Sequence, residues 1–232
     1  MSLIVPAVLP SSYKDLEEKL ALFASIPSVS RVQIDVVDEH FASPVSWPYS
    51  APEELQTLVE RSQVLPTLDR IEYEIDLMCL DAEQAADAWL ALGAKRLTFH
   101  VESSVDLARF LAAARNQYGH FVSLGLALTI ATDSALLDPH LDKIDYVQFM
   151  GIVQIGRQGQ SFDPRVLEKI RIFHTRHPEV PIQVDGGVTL ENAKHLLELG
   201  VSNLVVGSGI LRASDPVAAF AAFQELQTPS GV

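Results

Sequence analysis

Two kinds of hydrophobic pattern take turns along the chain. Short apolar or β-branched runs give way to segments in which apolar residues recur at three- and four-residue intervals. The first kind predicts strands over residues 3–9, 31–36, 72–78, 96–101, 122–130, 146–150, 182–185 and 203–206. The second predicts helices over residues 13–23, 52–61, 82–92, 105–118, 164–174, 190–199 and 216–226, with a weaker one over 134–141. In the first helix the stripe is Leu16, Leu20 and Phe23. Gly93 and Gly200 follow Leu-rich helices, where a left-handed glycine ends a helix. Thr189, ahead of Glu191 and Asn192, has the chemistry of an N-cap, and Asp163-Pro164 is a similar start signal. Eight strand–helix pairs without a composition break predict an α/β chain closed into a single (β/α)8 TIM barrel. The expected barrel spans residues 1–227, with a flexible C-terminal tail over 228–232. No G-x-G-x-x-G follows the first strand, which argues against an open dinucleotide-binding sheet.

Composition narrows the partners. With 48% hydrophobic residues over 232 positions, the chain can bury a large core without disulfide staples. Seventeen Lys+Arg against 30 Asp+Glu leave a formal charge of -13, which repels nucleic acid and anionic membranes, so neither is an expected partner. Cys79 is the one cysteine, which excludes an intrachain disulfide and fits a reducing compartment. The first residues lack a basic region ahead of their short apolar run, and no apolar stretch approaches the roughly 20 residues of a membrane span. A cytoplasmic protein is expected.

In a (β/α)8 barrel the working groups sit at the C-terminal ends of the strands. Gln33 and Asp35 are two apart on the second strand and share a face, with aliphatic Ile34 and Val36 on the other, so the polar pair is expected inside the barrel. The third strand places Glu74, Asp76 and Met78 on one face, and the seventh ends at Asp185. Carboxylates gathered at strand ends are costly to desolvate, and these strands offer no internal Lys or Arg to neutralise them, which points to function. Gly186, Gly187, Gly207 and Ser208 follow the seventh and eighth strands, where backbone N–H groups can approach a phosphate. The loop after the sixth strand, with Gly156, Gly159 and Gln160, is a candidate lid. Trp47 and Tyr49, in the long loop after the second strand, are expected over the pocket or at an oligomer contact.

In this order the segments Val5-Pro6-Ala7-Val8-Leu9, Ile34-Asp35-Val36-Val37-Asp38-Glu39-His40-Phe41, Asp76-Leu77-Met78 and Phe99-His100-Val101-Glu102 resemble the ribulose-phosphate 3-epimerase family. Three later markers complete the set: Gly156 through Phe162, Val184-Asp185-Gly186-Gly187-Val188 and Val206-Gly207-Ser208-Gly209-Ile210. The resemblance covers nearly the whole chain. It implies a phosphate-binding barrel whose two aspartates, here Asp35 and Asp185, exchange the proton beside a ketone through an enediolate. It also implies a phosphorylated-sugar substrate, substrate contacts at His100, Met78 and Met150, and a homo-oligomer.

The family holds a divalent metal with two histidines and the two aspartates, but Gln33 and Asp76 stand at the histidine positions here. Ala7 replaces a serine, Glu39 a glycine and Arg157 an aromatic residue. Two arrangements remain open. Asp35, Asp76, Asp185 and the Gln33 carbonyl could bind Mg²⁺ or Mn²⁺ in preference to Zn²⁺, or there is no metal and one carboxyl stays protonated. The expected function is epimerase-like isomerisation of a phosphorylated ketose. Alternatives are a catalytically silent phosphosugar-binding barrel and an aldolase- or decarboxylase-type enzyme. The last usually needs a strand lysine, whereas Lys95, Lys143, Lys169 and Lys194 sit at strand starts or on helices.

Overall fold

The computed structural model describes residues 3–103 and 106–226; the expected tail lies outside them. Eight strands pair in sequence order, all parallel, and β1 closes against β8. They are β1 (Leu3–Val8), β2 (Arg31–Val37), β3 (Glu72–Met78), β4 (Arg96–His100), β5 (Ser123–Leu128), β6 (Tyr146–Met150), β7 (Ile182–Asp185) and β8 (Asn203–Val206). The helices around them are α1 (Tyr13–Ala24), α2 (Pro52–Glu60), α3 (Ala82–Ala91), α4 (Leu107–Tyr118), α5 (Arg165–Arg176), α6 (Leu190–Glu198), α7 (Ser208–Leu211) and α8 (Pro216–Glu225). The fold is a single (β/α)8 TIM barrel, as the pattern predicts.

The predicted stop and start signals act as expected. Gly93 and Gly200 have φ of 98° and 86°, and Thr189 forms a reciprocal capping box with Asn192 at the start of α6. The weak helix expected over 134–141 is instead a 3-10 segment, Ser134–Lys143, with Pro139 inside it. Proline lacks the N–H that an α-helical ladder needs there. The short α7 and the 3-10 turn Val101–Ser103 carry too few residues to show a period in the sequence.

The apolar core is a sleeve between strands and helices. Outward strand residues such as Ile34, Ile75, Leu97, Phe149 and Val184 pack there with Leu16, Phe23, Trp89 and Phe173 from the helices. Trp47 belongs to this sleeve: it is fully buried, tilted against Tyr13 and edge-on to Trp89 with centroids 5.4 and 5.7 Å away. It therefore does not cover the pocket. Tyr49 donates its hydroxyl to Asp81 at the surface side of the same loop.

Inside the barrel the residue types are reversed. Val5, Ala7 and Val205 form a small apolar cluster. Gln33, Glu74, Asp76, Arg96, Thr98, His100, Gln148 and Gln183 are all buried there. At the lower end, Arg96 donates to Glu74 at 2.7 Å and lies 4.0 Å over the Tyr146 ring. Gly125 makes room for that ring, because any side chain at this position would collide with it. Arg31, at 4.0 Å, is a second cation near Glu74. The strands therefore do supply cations to one of their acids, from their first residues rather than from within.

Candidate active site

Parallel register aligns the candidate chemistry. Gln33 pairs with Glu74 and Asp35 with Asp76 across β2 and β3, while Gln148 pairs with Gln183 and Met150 with Asp185 across β6 and β7. Side chains two apart therefore stack in rings up the barrel axis. The upper ring brings Asp35, Asp76 and Asp185 together, with one carboxylate oxygen of each inside a set whose members all lie within 4.8 Å of one another.

Gln33 lies under this ring. Its Nε2 donates to Asp35 Oδ1 at 2.9 Å and to Asp185 Oδ2 at 3.1 Å, so a single amide bridges the two acids. Asp76 is held from other directions, accepting at one oxygen from Gln148 Nε2 at 2.9 Å and meeting His100 Nε2 at 3.0 Å with the other. Burial first, and then the charge of Asp76, pushes the Asp35 pKa from 3.8 up to about 8. Burial, then Asp35 and Asp76, raises Asp185 well above the ordinary carboxylate range. Burial alone would lower His100, but the charge and hydrogen bond of Asp76 outweigh it and the net shift is upward.

Three carboxylates with free oxygen lone pairs suit a hard divalent ion and could hold one. Gln33 does not join that set as the sequence led us to expect. It turns its N–H₂ toward the acids, an end without a lone pair to give, while its carbonyl accepts from Gln183 at 3.2 Å.

Above the acids lies a cleft lined by Asp35, Met78, Met150, Gly156, Gly159, Gln160, Asp185, Gly186, Gly187, Gly207 and Ser208 among others. Most of the positions singled out in the sequence meet here. His100 does not reach it. The ring is fully buried behind Asp76, tilted against Phe41 at 5.3 Å, with Glu102 3.9 Å from its other nitrogen. Glu102 itself accepts from the Thr129 N–H at 2.8 Å and from the Thr132 hydroxyl.

The loop between β6 and α5 folds down over the cleft. Arg157 Nε donates to the Ser43 carbonyl at 3.1 Å, and Gln158 Nε2 to the Ala7 carbonyl at 3.3 Å. Gln158 also hydrogen-bonds Asp35. Gly187, at φ 67°, lies so close to Phe162 that an added Cβ would sit 2.6 Å from its backbone. Four contributors escaped sequence reasoning: Gln148, Gln183, Gln158 and Arg212, which donates to the Gln158 carbonyl at 3.4 Å. The first two had a legible signal, since Gln183-Val184-Asp185 repeats Gln33-Ile34-Asp35 and Gln148 sits two residues before Met150.

Against known proteins, the model of the Ribulose-phosphate 3 epimerase family matches residues 3–211. The chain belongs to this epimerase family. It is 29% identical over 217 residues to the ribulose-phosphate 3-epimerase of Escherichia coli, covering 92% of this chain and 90% of that one. It is 28% identical over 220 residues to ribulose-phosphate 3-epimerase 2 of Cupriavidus necator, covering 91% and 85%. Among solved structures, KGPDC from Streptococcus mutans superposes with a TM-score of 0.68 over 97% of this chain and 97% of that one. At 16% identity that likeness concerns the fold. Within the family frame, Gln33 and Asp76 stand where the sequence resemblance implied imidazoles, and their new partners are an amide bridge and a buried histidine.

Proposed function

We propose that the chain epimerises a phosphorylated ketose, ribulose 5-phosphate or a close analogue, with Asp35 and Asp185 as the acid–base pair. The observation that carries this reading is the pair itself. Buried Asp35 and half-buried Asp185 share one amide donor below a glycine-lined cleft, and both carboxyl pKa values are raised. Acids this close titrate as a coupled pair, and the form of that pair with one carboxyl protonated and the other ionised is the state that a two-base exchange requires. The ionised carboxylate removes the proton from the carbon beside the ketone, and the C–H electron pair moves toward the carbonyl to give an enediolate. The protonated acid then returns a proton to the opposite face of that carbon, and the configuration inverts.

Asp35, Asp76 and Asp185 would hold a divalent ion, Mg²⁺ or Mn²⁺ rather than Zn²⁺, whose charge supplies electrostatic stabilisation for the enediolate oxygens. The substrate phosphate is assigned to Gly186, Gly187, Gly207 and Ser208, with Gly156, Gly159, Gln160, Arg157 and Arg212 closing from the lid side. Met78 and Met150 flank the carbon chain, and His100 acts on it only through Asp76. The buried free thiol of Cys79 agrees with a reducing, cytoplasmic setting. We expect a homo-oligomer with neither nucleic acid nor membrane as partner. Among the described residues no helix is long and apolar enough to cross a membrane.

The test is deuterium wash-in from D₂O at the carbon beside the ketone of ribulose 5-phosphate. Asp35→Asn and Asp185→Asn should each slow it by about 10²- to 10⁴-fold. Exchange persisting in both variants removes the pair from the chemistry, and saturable phosphosugar binding without any wash-in leaves a silent binding barrel. Metal content of the purified protein, with stability and exchange before and after chelation, reports on the three-carboxylate set.

A further inference from the structure

Below the acid ring lies a second polar layer that the proposed chemistry does not use. Its hub is Gln183, whose Nε2 is within hydrogen-bond distance of three oxygens: Glu74 Oε1, Gln148 Oε1 at 2.8 Å and Gln33 Oε1 at 3.2 Å. Its own Oε1 is buried with no hydrogen-bond partner. An amide can be turned end for end at little steric cost, so hydrogen bonding decides its orientation. Glu74 decides it here. Its carboxylate is paired with Arg96 at 2.7 Å and has Arg31 at 4.0 Å, so it can only accept. Gln183 must therefore show nitrogen to Glu74, and reversal would set its oxygen against three other oxygens.

The constraint propagates. Because Gln183 presents nitrogen, Gln33 and Gln148 both present oxygen to it, which leaves their own nitrogens facing upward. Gln33 Nε2 then meets Asp35 and Asp185, and Gln148 Nε2 meets Asp76. We infer that Glu74, acting through Gln183, is the positioning group that sets which end of the Gln33 amide meets the aspartate pair. The inference rests on the reading of Asp35 and Asp185 as the acid–base pair. With the amide reversed, Gln33 would offer them a third oxygen in place of a shared donor.

Exchanging the two residues tests it, because Glu74→Gln with Gln183→Glu conserves composition, charge and volume. Glu at 183 accepts only, so Gln33 and Gln148 must turn nitrogen downward and the polarity of the layer inverts. We expect wash-in kcat on ribulose 5-phosphate to fall by about 10- to 100-fold, with KM held within about threefold, as for groups that orient the residues touching a reacting centre. Gln183→Met, which removes the hub amide at similar length, provides a second variant if the exchange fails to fold, with a smaller loss in the same parameter. The readout independent of turnover is the side-chain ¹H–¹⁵N signal of Gln33, assigned through its loss in Gln33→Leu. It should respond to Asp35→Asn in the parent protein and stop responding in the exchanged or Met background. A folded exchange variant with parental kcat, or a Gln33 signal that still senses Asp35, overturns the inference. If the parent shows no wash-in, the epimerase reading fails, and the amide signal alone decides the positioning role.

Discussion

Replacing Asp35 by asparagine should make the metal-free protein more stable while slowing its chemistry. Burial and the charge of Asp76 push the Asp35 carboxyl from 3.8 up to about 8 in the fold. Between these values the native state keeps a proton that the unfolded chain has released. The difference in bound protons, unfolded minus native, is then negative, so stability falls as pH rises from about 4 to about 8. A shift of this size corresponds to about 6 kcal/mol at 1.36 kcal/mol per pKa unit. Burial comes first among the causes, and the repulsion from Asp76 and Glu74 is shared with those coupled acids, so about half, near 3 kcal/mol, is assigned to Asp35. Asparagine is neutral throughout and still offers Gln33 an oxygen, but its NH₂ cannot accept from Gln158, which costs about 1 kcal/mol. The net gain at pH 8 is about 2 kcal/mol, or a rise of about 4 to 8 °C in Tm for a chain of this size. Urea and thermal unfolding in chelator from pH 5 to 9 measure it. The parental curve should decline with pH, and the Asp35→Asn curve should decline less. It is not flat, because His100, whose pKa is also raised, loses its contribution in the same direction. Equal slopes in the two proteins, or parental stability rising from pH 5 to 8, would refute the burial argument.

Three further outcomes follow from the geometry. Asp76→Asn removes the charge that outweighs burial at His100, so the imidazole should titrate below its parental value when followed by NMR; the stability that pairing lends, present below the unfolded value of 6.5 and lost as pH rises through the folded one, should disappear with it. Arg157→Ala and Arg212→Ala remove guanidinium groups that form no ion pair among the described residues, and each should raise KM for the phosphosugar by about 5- to 30-fold, an effect that shrinks with added salt. Gly187→Ala forces a side chain into a left-handed position against Phe162 and should cost about 1–3 kcal/mol in unfolding free energy, with weaker phosphate binding.

The barrel was legible because its sleeve follows simple periods: strand residues two apart and helix residues three or four apart face the same apolar layer. The acid ring was legible for the same reason, since Gln33 and Asp35 share a face that Ile34 and Val36 avoid. What remained hidden was direction within a face. Nothing in the sequence says which end of the Gln33 amide looks upward, because that depends on Glu74 and Gln183, 41 and 150 positions further along. The His100 motif correctly marked a strand end, but its imidazole faces Asp76 rather than the cleft, a choice made by register across β3 and β4. Trp47 misled for a related reason. Loop residues carry no period, so only packing against Tyr13 and Trp89 could reveal that it is part of the core.

The division of labour between the two sides of the strands has a consequence for how such a protein can change. Cohesion is vested in the outer jacket, where apolar side chains from strands and helices interlock, while the lumen adds little apolar packing beyond Val5, Ala7 and Val205. Residues pointing down the bore can therefore be re-equipped as a set, provided each new polar atom finds a mate, without loosening the scaffold. A lineage could in this way trade imidazole for amide and carboxylate at positions 33 and 76 and keep the same vessel around a different reagent.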